Sequence, residues 1–175
     1  MTPRSLVLFY SRGGTTRALA AVLTDRLGAE QGEIKCPRYD GGWWRYLLAG
    51  YDSVRGNLPS IDIPAAVEER CAAYDVVLLG GPVWTSHPAL PLRSYLAGAP
   101  SLPARIGLFL THGGHSRPEK ATAEFAALLP APPTATLTMT GAELEGHRRS
   151  GTIDEFVDRL SADLPSSPPR PSGGG

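Results

Sequence analysis

The stretch that decides the fold is residues 6–17, which read LVLFYSRGGTTR. An apolar run typical of a buried strand ends in a short Ser/Gly/Thr loop, and a helical apolar pattern follows at once over residues 18–23. A strand–loop–helix of this kind gathers backbone N–H groups, small hydroxyls and a helix N-terminus around one point. Gly13 and Gly14 let the backbone approach a ligand closely. The stretch therefore predicts an anion site, most naturally a phosphate site.

The kind of phosphate follows by elimination. The loop contains no Lys, so it does not meet the GxxxxGK[ST] pattern of nucleoside triphosphatases. It also lacks the GxGxxG spacing of dinucleotide folds, and no carboxylate follows the next apolar run until Asp40. A phosphomonoester held mainly by neutral donors remains, with hydroxyls from Ser11, Thr15 and Thr16. Either threonine is placed to cap the helix. The alternative is a tight turn that binds nothing.

Composition bounds the class of protein. Lys plus Arg and Asp plus Glu are equal at 17 each, so the chain lacks the overall charge typical of proteins that bind nucleic acid or acidic surfaces. The apolar runs are strand-sized, which predicts no membrane span, and the first residues do not resemble a signal peptide. Cys36 and Cys71 are widely separated, so we expect packing thiols and a cytoplasmic, reducing setting, with a disulfide between them left open.

The order of segments predicts an α/β domain over residues 1–164, followed by a disordered Pro/Ser/Gly tail over 165–175. The predicted strands lie near Ser5–Tyr10, Glu33–Cys36, Asp75–Gly80, Arg105–Thr111 and Thr134–Met139. The predicted helices lie near Thr16–Leu27, Pro64–Ala73, Leu90–Leu96, Arg117–Leu128 and Ile153–Leu160, with Glu143 and Glu145 in a solvated loop before the last. Five βα units with right-handed crossovers give a doubly wound parallel sheet with helices on both faces. Ligands bind such sheets at the carboxyl ends of the strands.

Two further strand ends carry polar loops. Residues 75–88 read DVVLLGGPVWTSHP, with a Gly-Pro turn and an exposed aromatic after a buried strand, and residues 106–114 read IGLFLTHGG. Together with residues 10–16 they resemble the three flavin-contacting loops of flavodoxin-like proteins, whose phosphate loop commonly reads Ser/Thr-x-Thr-Gly-x-Thr. Ser11, Gly14 and Thr16 match that pattern, whereas Gly13 stands where the family usually has Thr.

The resemblance, which spans about residues 5–160, implies a flavodoxin-like five-stranded parallel sheet of order 2-1-3-4-5 with FMN as the cofactor. The implied phosphate contacts are Ser11, Arg12, Gly13, Gly14, Thr15 and Thr16. The implied ring contacts are Pro82, Val83, Trp84, Thr85, Ser86 and His87 from one loop, with Trp84 stacking on the ring and Pro82 fixing the turn, and Thr111, His112, Gly113 and Gly114 from the other.

Other residues are ambiguous at the level of sequence. Trp43, Trp44, Tyr46 and Tyr51 form an aromatic insert that resembles flavin-bordering inserts of the family, but aromatics also pack onto sheet edges or at a homodimer interface. His87 and His112 are candidates for hydrogen bonds to the ring edge or for proton donation. The alternative is that each is a loop histidine without a catalytic role. The pair His112 and His115 has no third ligand at a standard spacing, so no metal site is predicted. No catalytic residue is assigned.

The resemblance implies an oxidoreductase that passes reducing equivalents from NAD(P)H or a redox protein to a small acceptor such as a quinone. A flavodoxin proper, which is a one-electron carrier, is the alternative within the family. Such carriers usually present an acidic docking face, whereas the net charge here is zero and residues 82–88 hold no carboxylate. A flavin-free binding module is a third reading, supported by Gly13 alone.

Overall fold

The structure is a computed structural model that describes residues 4–39, 45, 48, 51, 52, 55–64, 67, 71–98, 100–114 and 117–162, with backbone only at 147–150. The strands are β1 (Ser5–Tyr10), β2 (Glu30–Ile34), β3 (Val76–Trp84), β4 (His87–Pro88), β5 (Ile106–His112) and β6 (Ala135–Thr140). The helices are α1 (Thr15–Leu27), α2 (Leu90–Ala97), α3 (Pro118–Ala127), α4 (Gly141–Ser150) and α5 (Thr152–Ser161), with a 3₁₀ turn at Cys71–Ala73.

The sheet runs β2-β1-β3-β5-β6, and every pair along this path is parallel. β4 stands off the path and pairs antiparallel with the end of β3. The predicted order of five parallel strands is thus confirmed. Parallel pairing aligns the carboxyl ends of β1, β3 and β5 at one edge of the sheet, and the sequence placed its three polar loops there.

Helices cover both faces of the sheet. One core cluster contains Leu19 of α1 and Phe156 of α5, and the other contains Leu92 of α2 and Phe125 of α3. The middle strands β1 and β5 are buried along almost their whole length, as expected for strands covered on both sides. Both cysteines are buried thiols that form no disulfide, as the packing interpretation predicted. Among the described helices, none is long and apolar enough to cross a bilayer.

Two strands have bounds that differ from the predictions by more than one residue. β2 begins at Glu30 rather than Glu33, because Gly32 and Ile34 supply the inward positions while polar residues occupy the exposed edge. β3 continues through Pro82 to Trp84, where the sequence had indicated a turn after Gly81. Pro82 is tolerated because its carbonyl still accepts the Ala89 N–H at 3.0 Å and the strand ends two residues later.

The predicted loop containing Glu143 and Glu145 was wrong, since both residues lie in α4. The Thr140 side chain and the Glu143 carboxylate form a reciprocal capping box at its start. Several predictions lie outside the described residues. These are the tail at 165–175, Trp43, Trp44 and Tyr46 of the insert, and part of the helix predicted at Pro64–Ala73, whose described end is the 3₁₀ turn.

Candidate functional site

A pocket of about 360 Å³ opens at the carboxyl edge of the sheet, and we call it the strand-end pocket. Four separate segments build its wall: the β1–α1 loop, the end of β3, the end of β5 with its loop, and the start of α4. The lining residues are Gly13, Thr15, Thr16, Pro82, Val83, Thr111, His112, Gly113 and Gly141. The structure therefore brings together parts of all three loops that the sequence had singled out.

The start of α1 forms one end of this pocket. Gly14 is the residue before the helix, with φ at +94°, and as a glycine it has no side chain to cap the first turn. The predicted threonine cap was wrong, because Thr16 Oγ1 instead lies 2.7 Å from Thr111 Oγ1 of β5. The Ser11 hydroxyl reaches across the loop and accepts the Arg17 N–H at 3.2 Å. Ser11 thus binds the N–H of Arg17, while Thr15 and Thr16 at the start of the helix line the pocket, and N–H groups at such a helix start bind anions.

The strand-end pocket contains neutral donors. The Arg12 side chain turns away to the Tyr39 carbonyl, with its Nε 3.3 Å from the oxygen. Arg17 forms an exposed ion pair with Glu33 at 2.6 Å. Among the described lining residues there is no Lys or Arg. An anion held here would rely on backbone N–H groups, hydroxyls and the dipole of α1.

Gly13 leaves an open position in the wall. A Cβ built on it meets no atom within 4 Å, and its φ lies outside the left-handed region. At Gly14 the same space is open, but φ at +94° disfavours any side chain. The backbone at position 13 therefore does not require glycine. Relative to the threonine of the family pattern, Gly13 only lacks a hydroxyl.

Only part of the segment 82–88 lines the strand-end pocket. Pro82 and Val83 line the strand-end pocket, whereas Trp84 is absent from the described lining residues. The Trp84 ring contacts the edges of Tyr10 and Tyr39, with centroids 5.7 and 5.4 Å apart. A stacking role for Trp84 on a ligand in this pocket therefore has no support in this arrangement.

The β3–β4 hairpin explains that division. Thr85 and Ser86 form a two-residue turn with φ at 48° and 65°, which reverses the chain and carries it away from the strand-end pocket. His87 then binds Glu124 of α3, with Nδ1 2.7 Å from Oε2, and lines a different pocket. Of the 82–88 segment, only the strand end thus reaches the predicted site.

The β5 end is closer to the prediction. Thr111, His112 and Gly113 line the pocket, Gly114 is described but does not, and His115 lies outside the described residues. His112 Nδ1 lies 3.1 Å from its neighbour's carbonyl at Gly113. No group of three or more His, Cys, Asp or Glu residues within the described ranges has a geometry able to hold a metal.

Sequence reasoning missed the contribution of α4. Gly141 lines the pocket, and Glu143 accepts the Thr140 N–H at 2.7 Å. Hydrogen bonds from the backbone and side chain of Thr140 hold the pKa of Glu143 below its usual value, and the charge of His112 adds to the shift. The signal was present as the T-x-x-E pattern of residues 140–143, which marks a helix start.

With this geometry established, comparisons place the fold among known proteins. No protein-family model matches the sequence, and no curated protein is significantly similar to it. A flavoprotein from Lactobacillus acidophilus NCFM, crystallised in complex with FMN, matches with a TM-score of 0.67 at 20% identity, over 84% of this chain and 99% of that chain.

Two other similar solved structures are a flavodoxin and an oxidoreductase. Megasphaera elsdenii flavodoxin in its two-electron reduced form matches at a TM-score of 0.53 and 16% identity, over 90% of this chain and 98% of that one. An NADH:FMN oxidoreductase in its apo form matches with a TM-score of 0.50 at 19% identity, over 94% of this chain and 91% of that chain. At these identities the likeness concerns the fold. The chain has the flavodoxin-like α/β fold, as the sequence resemblance implied.

Proposed function

We propose that the strand-end pocket binds FMN and that the protein is an FMN-dependent oxidoreductase. The observation that carries this proposal is the meeting of the start of α1 with the ends of β3 and β5 in one pocket. The fold neighbour from Lactobacillus acidophilus, crystallised with FMN, supports the choice of flavin. FMN supplies hydride or electron transfer when bound, and the chain supplies binding and orientation.

The described residues divide the work of binding. In this proposal the phosphate binds at the start of α1 to the N–H groups of Thr15 and Thr16, which line the pocket, and to the hydroxyl of Ser11, which is buried and is not among the described lining residues. Pro82 and Val83 give an apolar wall for the ring, beside the end of β5, where Pro82 is in register with Thr111. His112, at the rim of the pocket, is placed to donate a hydrogen bond or to hold a proton near the ring edge.

An enzyme is favoured over an electron carrier by the charges beside the pocket. His87 and Lys120 surround Glu124 next to the β3–β4 hairpin, so this border is not acidic. Acidic docking faces are typical of carriers that meet protein partners, whereas a small acceptor such as a quinone needs an accessible pocket. We therefore propose transfer from NAD(P)H or a redox protein to a small acceptor.

The first experiment is an absorption spectrum of the purified protein, with FMN titrated if the protein is colourless. The proposal predicts bound flavin, and at least about tenfold weaker binding in Ser11→Ala, since a hydrogen bond to a charged group is removed. Thr24→Ala, near the other end of α1 where its hydroxyl bonds Gln31, is the control and should bind FMN as the parent does. A protein that binds no flavin contradicts the proposal.

Turnover then distinguishes enzyme from carrier. An enzyme oxidises NAD(P)H and reduces a soluble quinone over many turnovers, without a second protein. A carrier accepts electrons only from a reductase and shows no such turnover.

A further inference from the structure

A second pocket of about 410 Å³ lies on the other side of the β3–β4 hairpin. Two arginines, Arg55 and Arg93, line it together with His87, Glu124 and Leu128. We call it the arginine pocket. No short sequence motif joins these residues, because they come from four separate parts of the chain.

The single carboxylate among these five lining residues is already bound. Glu124 Oε2 lies 2.7 Å from His87 Nδ1, and its Oε1 lies 3.9 Å from Lys120 Nζ. Lys120 Nζ also lies 3.4 Å from His87 Nε2. The negative charge of Glu124 is therefore offset by Lys120 before either arginine is considered.

Neither guanidinium group is paired with a carboxylate of the described residues. In the part of the chain that the structure describes, Arg93 is half-buried on α2 and forms no ion pair. Arg55 lies over the Tyr51 ring, with its Cζ 4.8 Å from the centroid, and likewise has no carboxylate partner within the described residues. The pocket thus presents two positive charges in a concave surface. Guanidinium forks match phosphate and carboxylate oxygens in geometry as well as in charge.

The arginine pocket is adjacent to the proposed flavin site. Trp84 pairs with His87 across the hairpin, and Val83 precedes Trp84. One residue step of about 3.3 Å and one strand spacing of about 5 Å therefore separate the Val83 wall of the strand-end pocket from His87. A ligand anchored by its anionic group at the arginines is within reach of the flavin ring.

We propose that the arginine pocket binds a phosphate group of a nicotinamide dinucleotide, the electron donor. The choice of donor rests on the proposed function, while the assignment of an oxyanion site rests on the two arginines alone. A donor held here brings its phosphate charge to Arg55 and Arg93 and leaves its nicotinamide end free to extend past the hairpin.

The test is calorimetric titration of the full chain, with FMN at saturation, using inorganic pyrophosphate and then NADP⁺. Both probes should bind, and Arg93→Gln and Arg55→Gln should each weaken binding by about tenfold or more. Arg159→Gln removes an equal charge from an exposed position on α5 and should change affinity by less than about twofold. Equal effects of all three variants would overturn the proposal.

Three further arms separate the possible failures. If succinate binds more tightly than pyrophosphate, the site takes carboxylates and the phosphate assignment is wrong. If NADP⁺ does not displace pyrophosphate, the donor assignment is wrong. If the protein binds no FMN, pyrophosphate could also enter the strand-end pocket, so Ser11→Ala is titrated alongside. If Ser11→Ala loses pyrophosphate binding and Arg93→Gln does not, pyrophosphate binds in the strand-end pocket, and the inference is overturned.

The two proposals fail separately. If the protein binds no FMN but pyrophosphate binding still depends on Arg93, the oxyanion site stands and the flavin proposal falls. If FMN binds and neither arginine affects pyrophosphate, the flavin proposal stands and the arginine pocket does not.

Discussion

The two pockets on either side of the β3–β4 hairpin are built in opposite ways. The strand-end pocket uses backbone groups, small hydroxyls and strand ends, with no Lys or Arg among its described lining residues. The arginine pocket uses long charged side chains from segments far apart in sequence. Since backbone donors are placed by the fold and side chains by individual packing, the first pocket should tolerate changes in surface charge and the second should not.

The strongest way to disturb both pockets together is through β3, which carries a wall of one and leads directly to the other. A Cβ at Gly80 would lie 2.0 Å from Phe109 of β5, a contact that no side-chain movement within a filled core relieves cheaply. We expect Gly80→Ala to lower the free energy of unfolding by about 3 kcal/mol. Urea denaturation measures this loss.

Gly146→Ala is the matched control. Gly146 lies on exposed α4, where a Cβ meets nothing within 4 Å, so the change should be neutral or stabilising by less than about 1 kcal/mol. Equal stability losses in the two variants would show that β3 and β5 do not pack as described.

The next largest effect should separate the pockets. Asp52 is a buried carboxylate that accepts hydrogen bonds from Arg38 at 2.7 Å, the Tyr39 hydroxyl at 3.0 Å and the Asn57 amide at 3.1 Å. It holds the turn that carries Arg55. Asp52→Asn should cost about 2 kcal/mol of stability and weaken pyrophosphate binding, with FMN affinity within about twofold of the parent. Asp25→Asn, at an exposed position on α1, is the control. If Asp52→Asn weakened FMN binding as much as it weakens pyrophosphate binding, the two pockets would not be separate.

The same carboxylate predicts a pH dependence. Hydrogen bonds from Arg38 hold the pKa of Asp52 below its usual value. The network therefore stabilises the protein above the unfolded-chain pKa of about 3.9, and this contribution is lost as the pH falls through the lower folded value. The stability difference between parent and Asp52→Asn should shrink on acidification in that range. A difference that grows below pH 4 would be inconsistent with the sign of the shift.

A smaller effect concerns the hairpin itself. Ser86 holds φ at 65° at the second turn position, where glycine is favoured. Ser86→Gly should stabilise the protein by about 1 kcal/mol in thermal or urea unfolding, because a left-handed serine is strained. Ser101→Gly, at an exposed residue without positive φ, should instead be neutral or slightly destabilising. A loss of stability in Ser86→Gly would mean that the turn geometry differs.

The smallest effect tests the neutral donors. Gly13→Thr restores the hydroxyl that the family pattern has, into open space, and should tighten FMN binding by about three- to tenfold. Gly14→Thr is the matched change one residue later, where φ at +94° opposes a branched side chain, and should weaken binding. Fluorescence titration of FMN compares them. Weaker binding in Gly13→Thr than in Gly14→Thr would place the phosphate elsewhere.

The difference between the pockets also explains what could be predicted from the sequence. Continuous apolar runs such as residues 106–110 are typical of buried strands, and a polar loop after each marks the ligand edge. The parallel sheet and the core of the strand-end pocket were therefore predictable from these patterns, while the strand order was implied by the family resemblance. The end of β3 was not, because Gly81 and Pro82 are typical of a turn. In the structure both extend the strand, and the turn falls at Thr85 and Ser86.

The arginine pocket was out of reach for a different reason. Arg55, His87, Arg93 and Glu124 share no spacing that a periodicity or motif would detect, and they meet only because α2, α3 and the hairpin pack on one face. Trp84 shows the same limit. Its sequence context suggested a flavin contact, but its ring forms edge-to-face pairs with Tyr10 and Tyr39, and it is not among the described residues that line the strand-end pocket.

The most direct test of the central claim compares FMN with riboflavin, which lacks the phosphate. Side-by-side fluorescence titrations of the purified protein measure what the start of α1 contributes. If the phosphate lies against Ser11 and the N–H groups of Thr15 and Thr16, FMN should bind about a hundredfold or more tightly than riboflavin, and Ser11→Ala should reduce that ratio. Equal affinities for the two flavins would contradict the account.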